Sequence, residues 1–229
     1  MEAVFILVEP AAPGNIGAAA RAIKVMGFRQ LWLVSPAPYL EGEAKWLAHG
    51  SHDILTEART FSTLKEASDE VDLLIATSAK SRRVKKDYDT IETLPGKLSD
   101  VNESVSRFGV VFGREESGLT NTEMNLCDWI SYTPMQTTYP SLNLAQAVML
   151  YAYVLSRDVQ LLGDAIKPPP VTSFRKMKQN IRETLINAGF RNDDPILSRI
   201  LERISLLGDK DLRLVFSVLH KINKRLKPQ

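Results

Sequence analysis

The sequence predicts an α/β protein: a mainly parallel sheet with helices on both faces, followed by a small all-helical extension. Three observations carry this. Through the first 165 residues, short continuous apolar runs alternate with stretches of helical periodicity, as in strands buried on both faces and joined by crossover helices. Three consecutive prolines, Pro168, Pro169 and Pro170, then interrupt the chain; such a run cannot continue a helix and favours an extended connector. Beyond it the periodicity is helical only. The expected units are an α/β domain over 1–165, a proline-rich linker over 166–172 and a basic helical extension over 173–229.

The elements follow in order. Val4 to Val8 is an apolar run that reads as a buried first strand. Pro13-Gly14-Asn15 reads as a turn, and Ile16 to Met26 as a helix closed by Gly27. Leu31 to Val34 is a second strand, Val71 to Ala76 a third, Gly109 to Phe112 a fourth and Trp129 to Thr133 a fifth. Between Pro38 and Asp69, short helices are expected around Ala44 to His49 and Thr63 to Ser68. Ser141 to Leu162 reads as a long apolar helix capped by Ser141, with Asn143 inside it. In the extension, apolar residues recur every three or four positions in three sets: Phe174 to Ala188, Ile196 to Leu207 and Leu212 to Leu226. Asp193-Asp194-Pro195 marks the start of the second helix, with proline at its first position.

Composition removes several function classes. At 44% hydrophobic and 24% charged residues over 229 positions, the chain is too apolar for disorder. No apolar run reaches the roughly 18 to 20 residues that span a bilayer, and the start lacks the basic region of a signal peptide, so a cytoplasmic protein is expected. A single cysteine, Cys127, excludes an internal disulfide or a Cys-based zinc site. His49 and His52 lie close together without a third ligand at metal spacing, so no metal is expected. The net charge of +2 is unevenly spread: Lys167 to Gln229 holds 14 Lys and Arg against 6 Asp and Glu, a net +8, leaving −6 on the remainder. A basic tail suits a polyanion, and equally suits the soluble faces of helices.

Three strand-to-helix junctions can carry chemistry, because ligands bind at the carboxyl edge of a parallel sheet. The first, Gly14 to Arg21, combines small residues with a helix N-terminus whose free N–H groups suit an anion; tight helix–sheet packing accounts for the same residues. The second, Phe112 to Asn121, places Arg114, Glu115 and Glu116 between glycines after a buried strand. It is not a nucleophile elbow, since Ser117 lacks the flanking spacing. The third, Thr133 to Ala145, holds a Thr-Pro-Met turn and Asn143, which must be hydrogen-bonded if buried.

Taken in order, the junctions resemble the SpoU-type branch of the SPOUT RNA methyltransferases. The pattern Asn-x-Gly-x-x-x-Arg matches Asn15, Gly17 and Arg21; Phe-Gly-x-Glu-x-x-Gly-Leu matches Phe112, Gly113, Glu115, Gly118 and Leu119. The third motif matches Pro134-Met135 and, after five intervening residues, Ser141-Leu142-Asn143. Within the branch the chain is similar to the TrmJ-type tRNA ribose 2′-O-methyltransferases and to the LasT-like tRNA/rRNA methyltransferases. Leu31 to Pro36, Thr77-Ser78-Ala79, Gly118 to Asn121, Ser141 to Ala145 and Asn187 to Phe190 are the shared stretches. Pro140 departs from the serine common at that position in the TrmJ type.

The resemblance implies an enzyme that moves a methyl group from S-adenosyl-L-methionine to a ribose 2′-hydroxyl of RNA, with tRNA nucleotide 32 in the anticodon loop as the expected target. An rRNA methyltransferase and a catalytically silent RNA-binding homodimer are the alternatives. It implies a trefoil knot in the C-terminal part of the sheet and a homodimer in which each site borrows groups from its partner. Arg21, Glu115, Ser141 and Asn143 become the expected catalytic set, with Glu115 and Asn143 fixing Arg21 and the knot loops. The cofactor is expected on Thr77, Ser78, Ala79, Gly113, Ile130, Thr133, Met135, Ser141 and Leu142, and RNA on Asn15, Lys80, Arg82, Arg83 and Tyr139.

Overall fold

The computed structural model describes residues 1–79, 87–101, 104–137, 141–157 and 174–226. Seven strands form one sheet: β1 (Glu2–Val8), β2 (Gln30–Val34), β3 (Arg59–Phe61), β4 (Leu73–Ser78), β5 (Tyr88–Thr90), β6 (Arg107–Phe112) and β7 (Trp129–Tyr132). Their order is β3-β2-β1-β6-β4-β7-β5, and each neighbouring pair is parallel. The five expected strands are present with shifted ends. The additional ones, β3 and β5, are three-residue edge strands, too short and too exposed to show as apolar runs.

The parallel register explains the continuous apolar runs. Phe5 lies beside Leu31 and Val110, and Ile75 beside Val110 and Trp129. Successive residues point to opposite faces, so each strand feeds two cores. One face holds Phe5, Leu7, Leu33, Ile75 and Val110. It is covered by α1 (Pro13–Val25), α2 (Glu43–Leu47), α3 (His52–Thr56), α5 (Leu94–Asp100) and α7 (Leu144–Ser156). The other holds Val4, Ile6, Trp32, Leu74 and Val111 under α4 (Leu64–Ser68) and α6 (Asn121–Leu126). Helices therefore cover both faces, as expected.

Two helix starts differ from expectation. Pro13-Gly14-Asn15 is the first turn of α1 rather than a turn before it, with Pro13 at the position where a missing N–H costs nothing. Ser141 does not cap α7: Asn143 does, accepting from the Ala145 N–H at 2.9 Å while its own N–H donates to Gln146 Oε1 at 3.2 Å. Asn143 is thus at the helix boundary, not in its interior.

The extension forms α8 (Phe174–Asn187), α9 (Pro195–Ile204) and α10 (Asp209–Leu226), with Asp194 capping α9 and Pro195 at its first position. Phe174, Met177, Ile181, Ile204 and Leu212 are continuous with the core of the first face. Ala188 and Ile222, expected inside, are exposed, and Thr184 is buried instead, its hydroxyl donating to Asn180 O at 2.7 Å. The extension docks along the β7–β5 edge. The buried Trp129 indole N–H donates to Ser205 Oγ at 3.0 Å, and the Asp87 N–H donates to the buried Glu202 at 3.1 Å. Arg203 pairs with Asp87 at 2.7 Å, and Lys178 and Arg175 pair with Asp128 and Asp69. The expected linker lies outside the described residues.

Candidate active site

A cleft of about 370 Å³ opens at the carboxyl ends of β6, β4 and β7, where open parallel sheets bind ligands. Thr77, Ser78, Ala79, Gly113, Thr133, Met135, Ser141 and Leu142 all line it. Ile130 does not: it is fully buried in the second-face core, because as the second residue of β7 it points into the sheet packing. Of the expected catalytic set, Ser141 and Glu115 line the cleft, whereas Arg21 and Asn143 do not. Lys80, Arg82, Arg83, Tyr139 and Pro140 lie outside the described residues.

The wall between Gly113 and Leu119 is a closed loop. The Arg114 N–H donates to Gly118 O at 3.2 Å and the Gly118 N–H returns to Arg114 O at 2.9 Å. A Cβ on Gly113 would stand 2.2 Å from the Gly118 carbonyl carbon, and Gly118 has φ +68. Both glycines are therefore demanded by backbone approach and backbone conformation.

Glu115 projects from this loop to the start of α1. Its carboxylate accepts from the Ala11 and Ala12 N–H groups at 3.3 and 3.4 Å and from Asn15 Nδ2 at 3.1 Å. The anion suited to the α1 N-terminus is thus supplied by the chain itself. Burial alone would raise the Glu115 carboxyl, but the Asn15 and backbone hydrogen bonds outweigh it and hold it below its ordinary value. Asn15 Oδ1 in turn accepts from Asn143 Nδ2 at 2.8 Å. One relay, Glu115–Asn15–Asn143, joins all three junctions. Glu115 and Asn143 therefore fix Asn15 rather than Arg21. Arg21 is two helical turns further along α1, exposed, and has no side-chain partner among the described residues.

Gly17 is a packing residue. A Cβ there would lie 2.0 Å from Ala44 O, so only glycine lets α1 approach α2. Sequence reasoning missed other lining residues, notably Arg114, Met124 and Tyr151. Tyr151 donates to Ser131 Oγ at 3.1 Å, and burial pushes its hydroxyl up to about 12. It remains neutral and is no base at ordinary pH. Cys127 is a buried thiol donating to Glu123 O at 3.4 Å. No group of three or more metal-ligating side chains exists among the described residues, and no described helix is long and apolar enough to cross a membrane.

Comparison with known proteins places this arrangement. The model of the SpoU rRNA Methylase family matches residues 2–153. The uncharacterized tRNA/rRNA methyltransferase LasT of Escherichia coli K12 is 37% identical over 226 residues, spanning 99% of both chains. The tRNA (cytidine/uridine-2′-O-)-methyltransferase TrmJ of Salmonella choleraesuis is 34% identical over 81% of this chain and 79% of its own. Among solved structures, TrmJ from Z. mobilis superposes with a TM-score of 0.67 at 28% identity, covering 97% of this chain and 100% of that one.

Proposed function

The chain belongs to the SpoU rRNA methylase family, and from that premise we propose that it methylates a ribose 2′-hydroxyl of RNA with S-adenosyl-L-methionine as donor, tRNA being the expected substrate. The observation that carries the reading is convergence: residues from three separated junctions meet in one relay beside the cleft that eight of the nine expected cofactor residues line. The TrmJ relative supports tRNA, and the similarity to that type supports nucleotide 32 in the anticodon loop.

The cleft fits such a donor. Its volume is in the range of small-ligand sites, roughly 300 to 1,000 Å³. Gly113 leaves the backbone bare where a Cβ would collide with the Gly118–Leu119 peptide, and Leu119, Met124 and Leu144 supply apolar lining beside the hydroxyl-bearing Ser78, Thr133 and Ser141. When bound, S-adenosyl-L-methionine supplies an electrophilic methyl on a sulfonium sulfur. Thr77 is held for its place by donating to Val111 O at 2.8 Å, so it braces the strand ends that carry the cleft.

A ribose hydroxyl is a weak nucleophile, so the protein must take its proton or stabilise the oxygen as charge develops. Arg21 is the residue assigned to that oxygen: a guanidinium stays protonated and donates five N–H groups, which suits charge stabilisation better than proton removal. Because Arg21 does not line the cleft of its own chain, it is assigned to a site completed by a second copy, in keeping with the expected homodimer. Exposed Val25, Leu150 and Tyr153 on α1 and α7 offer an apolar face for that pairing. The knot, the cytoplasmic setting and the RNA role of the extension belong to the same reading.

The test is a mass-spectrometric nucleoside map of tRNA and rRNA from cells with and without the gene. Loss of one 2′-O-methylnucleoside from tRNA is expected. Loss from rRNA instead would move the substrate, and no change in either pool across growth conditions would overturn methyl transfer in favour of a silent binder.

A further inference from the structure

Arg114 lines the cleft but is closed to any ligand. Arginine has five N–H donors, and here all five are committed. Nε donates to Glu9 Oε2 at 2.9 Å, and Nη1 to Glu123 Oε2 at 3.0 Å and Gly118 O at 3.4 Å. Nη2 donates to Glu123 Oε1 at 3.0 Å and to Glu9 Oε1. Both carboxylates are gripped in the two-pronged manner that guanidinium geometry allows and ammonium geometry does not.

The three groups come from different elements. Glu9 follows β1 and holds φ 47, a left-handed conformation costly for a side chain of its kind. Glu123 is the third residue of α6, where it also accepts from the Thr120 N–H at 2.7 Å in a reciprocal cap. Arg114 belongs to the loop between them. The cluster thus ties the end of β1, the cleft loop and the start of α6 into one unit. It lies one residue from Glu115, so it also sets where that carboxylate meets α1.

We propose that Arg114 is a positioning residue for cofactor binding: bridging Glu9 and Glu123, it holds the Gly113–Leu119 wall of the cleft in its binding shape without touching cofactor or RNA. The proposal rests on the methyl-transfer reading and adds to it a residue that works through the loop backbone. Glu9, outside every motif by which the family resemblance was drawn, becomes part of the same device.

The experiment compares Arg114→Lys, which keeps the charge and loses the two-pronged grip, with Arg107→Ala. Arg107 pairs with Glu2 at 2.5 Å at the opposite end of the sheet and serves as a control for general destabilisation. Calorimetric affinity for S-adenosyl-L-methionine, KM for cofactor and for RNA, melting temperature, and amide exchange at Gly118 in the free protein are measured. For Arg114→Lys, cofactor affinity is expected to fall about tenfold or more, RNA KM to stay near its starting value, and Gly118 to exchange faster. Arg107→Ala is expected to lower the melting temperature alone. Unchanged affinity and exchange in Arg114→Lys would overturn the proposal, as would an equal affinity loss in Arg107→Ala. Exchange is read without cofactor, so failure of the brace is distinguishable from failure of methyl transfer, which would show as an unmodified protein that binds no cofactor.

Discussion

At the scale of single residues, the site separates side chains that hold the framework from one left free. Glu115, Asn15 and Asn143 are bonded to one another and to backbone, whereas Arg21 is exposed and without a side-chain partner among the described residues. Arg21→Ala is therefore expected to abolish methyl transfer while leaving the fold and cofactor affinity near their starting values; calorimetry beside a single-turnover assay checks this, and normal turnover would remove Arg21 from the mechanism. Glu115→Gln should behave differently. An amide presents N–H toward the Ala11 and Ala12 donors, leaving polar groups unsatisfied at a cost of about 1–3 kcal/mol. Its pH dependence has a definite sign. The folded-state carboxyl sits below its ordinary value, so its stabilisation is fully present above the unfolded-state value and is lost as pH falls through the lowered one. The stability gap between wild type and Glu115→Gln, followed by denaturant melts, should narrow on acidification through that window. A gap independent of pH would show that the ionised carboxylate is not the stabilising species.

At the scale of elements, much was legible in the sequence and the exceptions have physical causes. Strands buried on both faces announce themselves as apolar runs, so β1, β2, β4, β6 and β7 could be read directly. β3 and β5 could not, because an edge strand of three residues has little apolar content; β3 is largely exposed. The start of α7 was misread because Ser141 and Asn143 are both good caps. The choice falls to Asn143, which also bonds Asn15, a residue 128 positions away. Sequence places Ile130 next to the cleft turn, while strand alternation turns its side chain inward. Arg114 was invisible as a clamp because one of its two carboxylates lies 105 positions upstream. Gly17 was legible as small, with two meanings open; the 2.0 Å approach to Ala44 O makes it a packing residue. Gly17→Val should force α1 from α2 and cost about 1–3 kcal/mol or more, seen as a lowered melting temperature. An unchanged melting temperature would mean that the two helices can separate freely.

At the scale of the whole molecule, the charge asymmetry acquires a second meaning. Four basic residues of the extension, Arg175, Lys178, Arg199 and Arg203, pair with Asp69, Asp128 and Asp87 of the acidic body. Part of the +8 thus holds the extension in place, and on the proposed reading only the remaining cations are left to meet RNA. Lys178→Ala is expected to lower the melting temperature with little change in RNA affinity. Lys221→Ala, at an exposed position on α10, is expected to weaken RNA binding and flatten its salt dependence. Binding isotherms at several salt concentrations decide this, and identical effects of the two substitutions would contradict the division.

The strand order also governs time. β6 sits between β1 and β4, so a chain growing from its N-terminus holds β1 half-paired until residues 107–112 have been made. β4 meanwhile emerges before either of its neighbours exists. The Trp129 indole waits longer still, for Ser205, 76 residues on. The sheet cannot be zipped up in the order in which it is translated, and pairings of such sequence separation are slow to form. Until β7 is complete at Tyr132, the growing chain carries apolar strands whose partners have yet to be made. The same crossing order that brings the three distant junctions together thus delays the pairing of the strands that carry them.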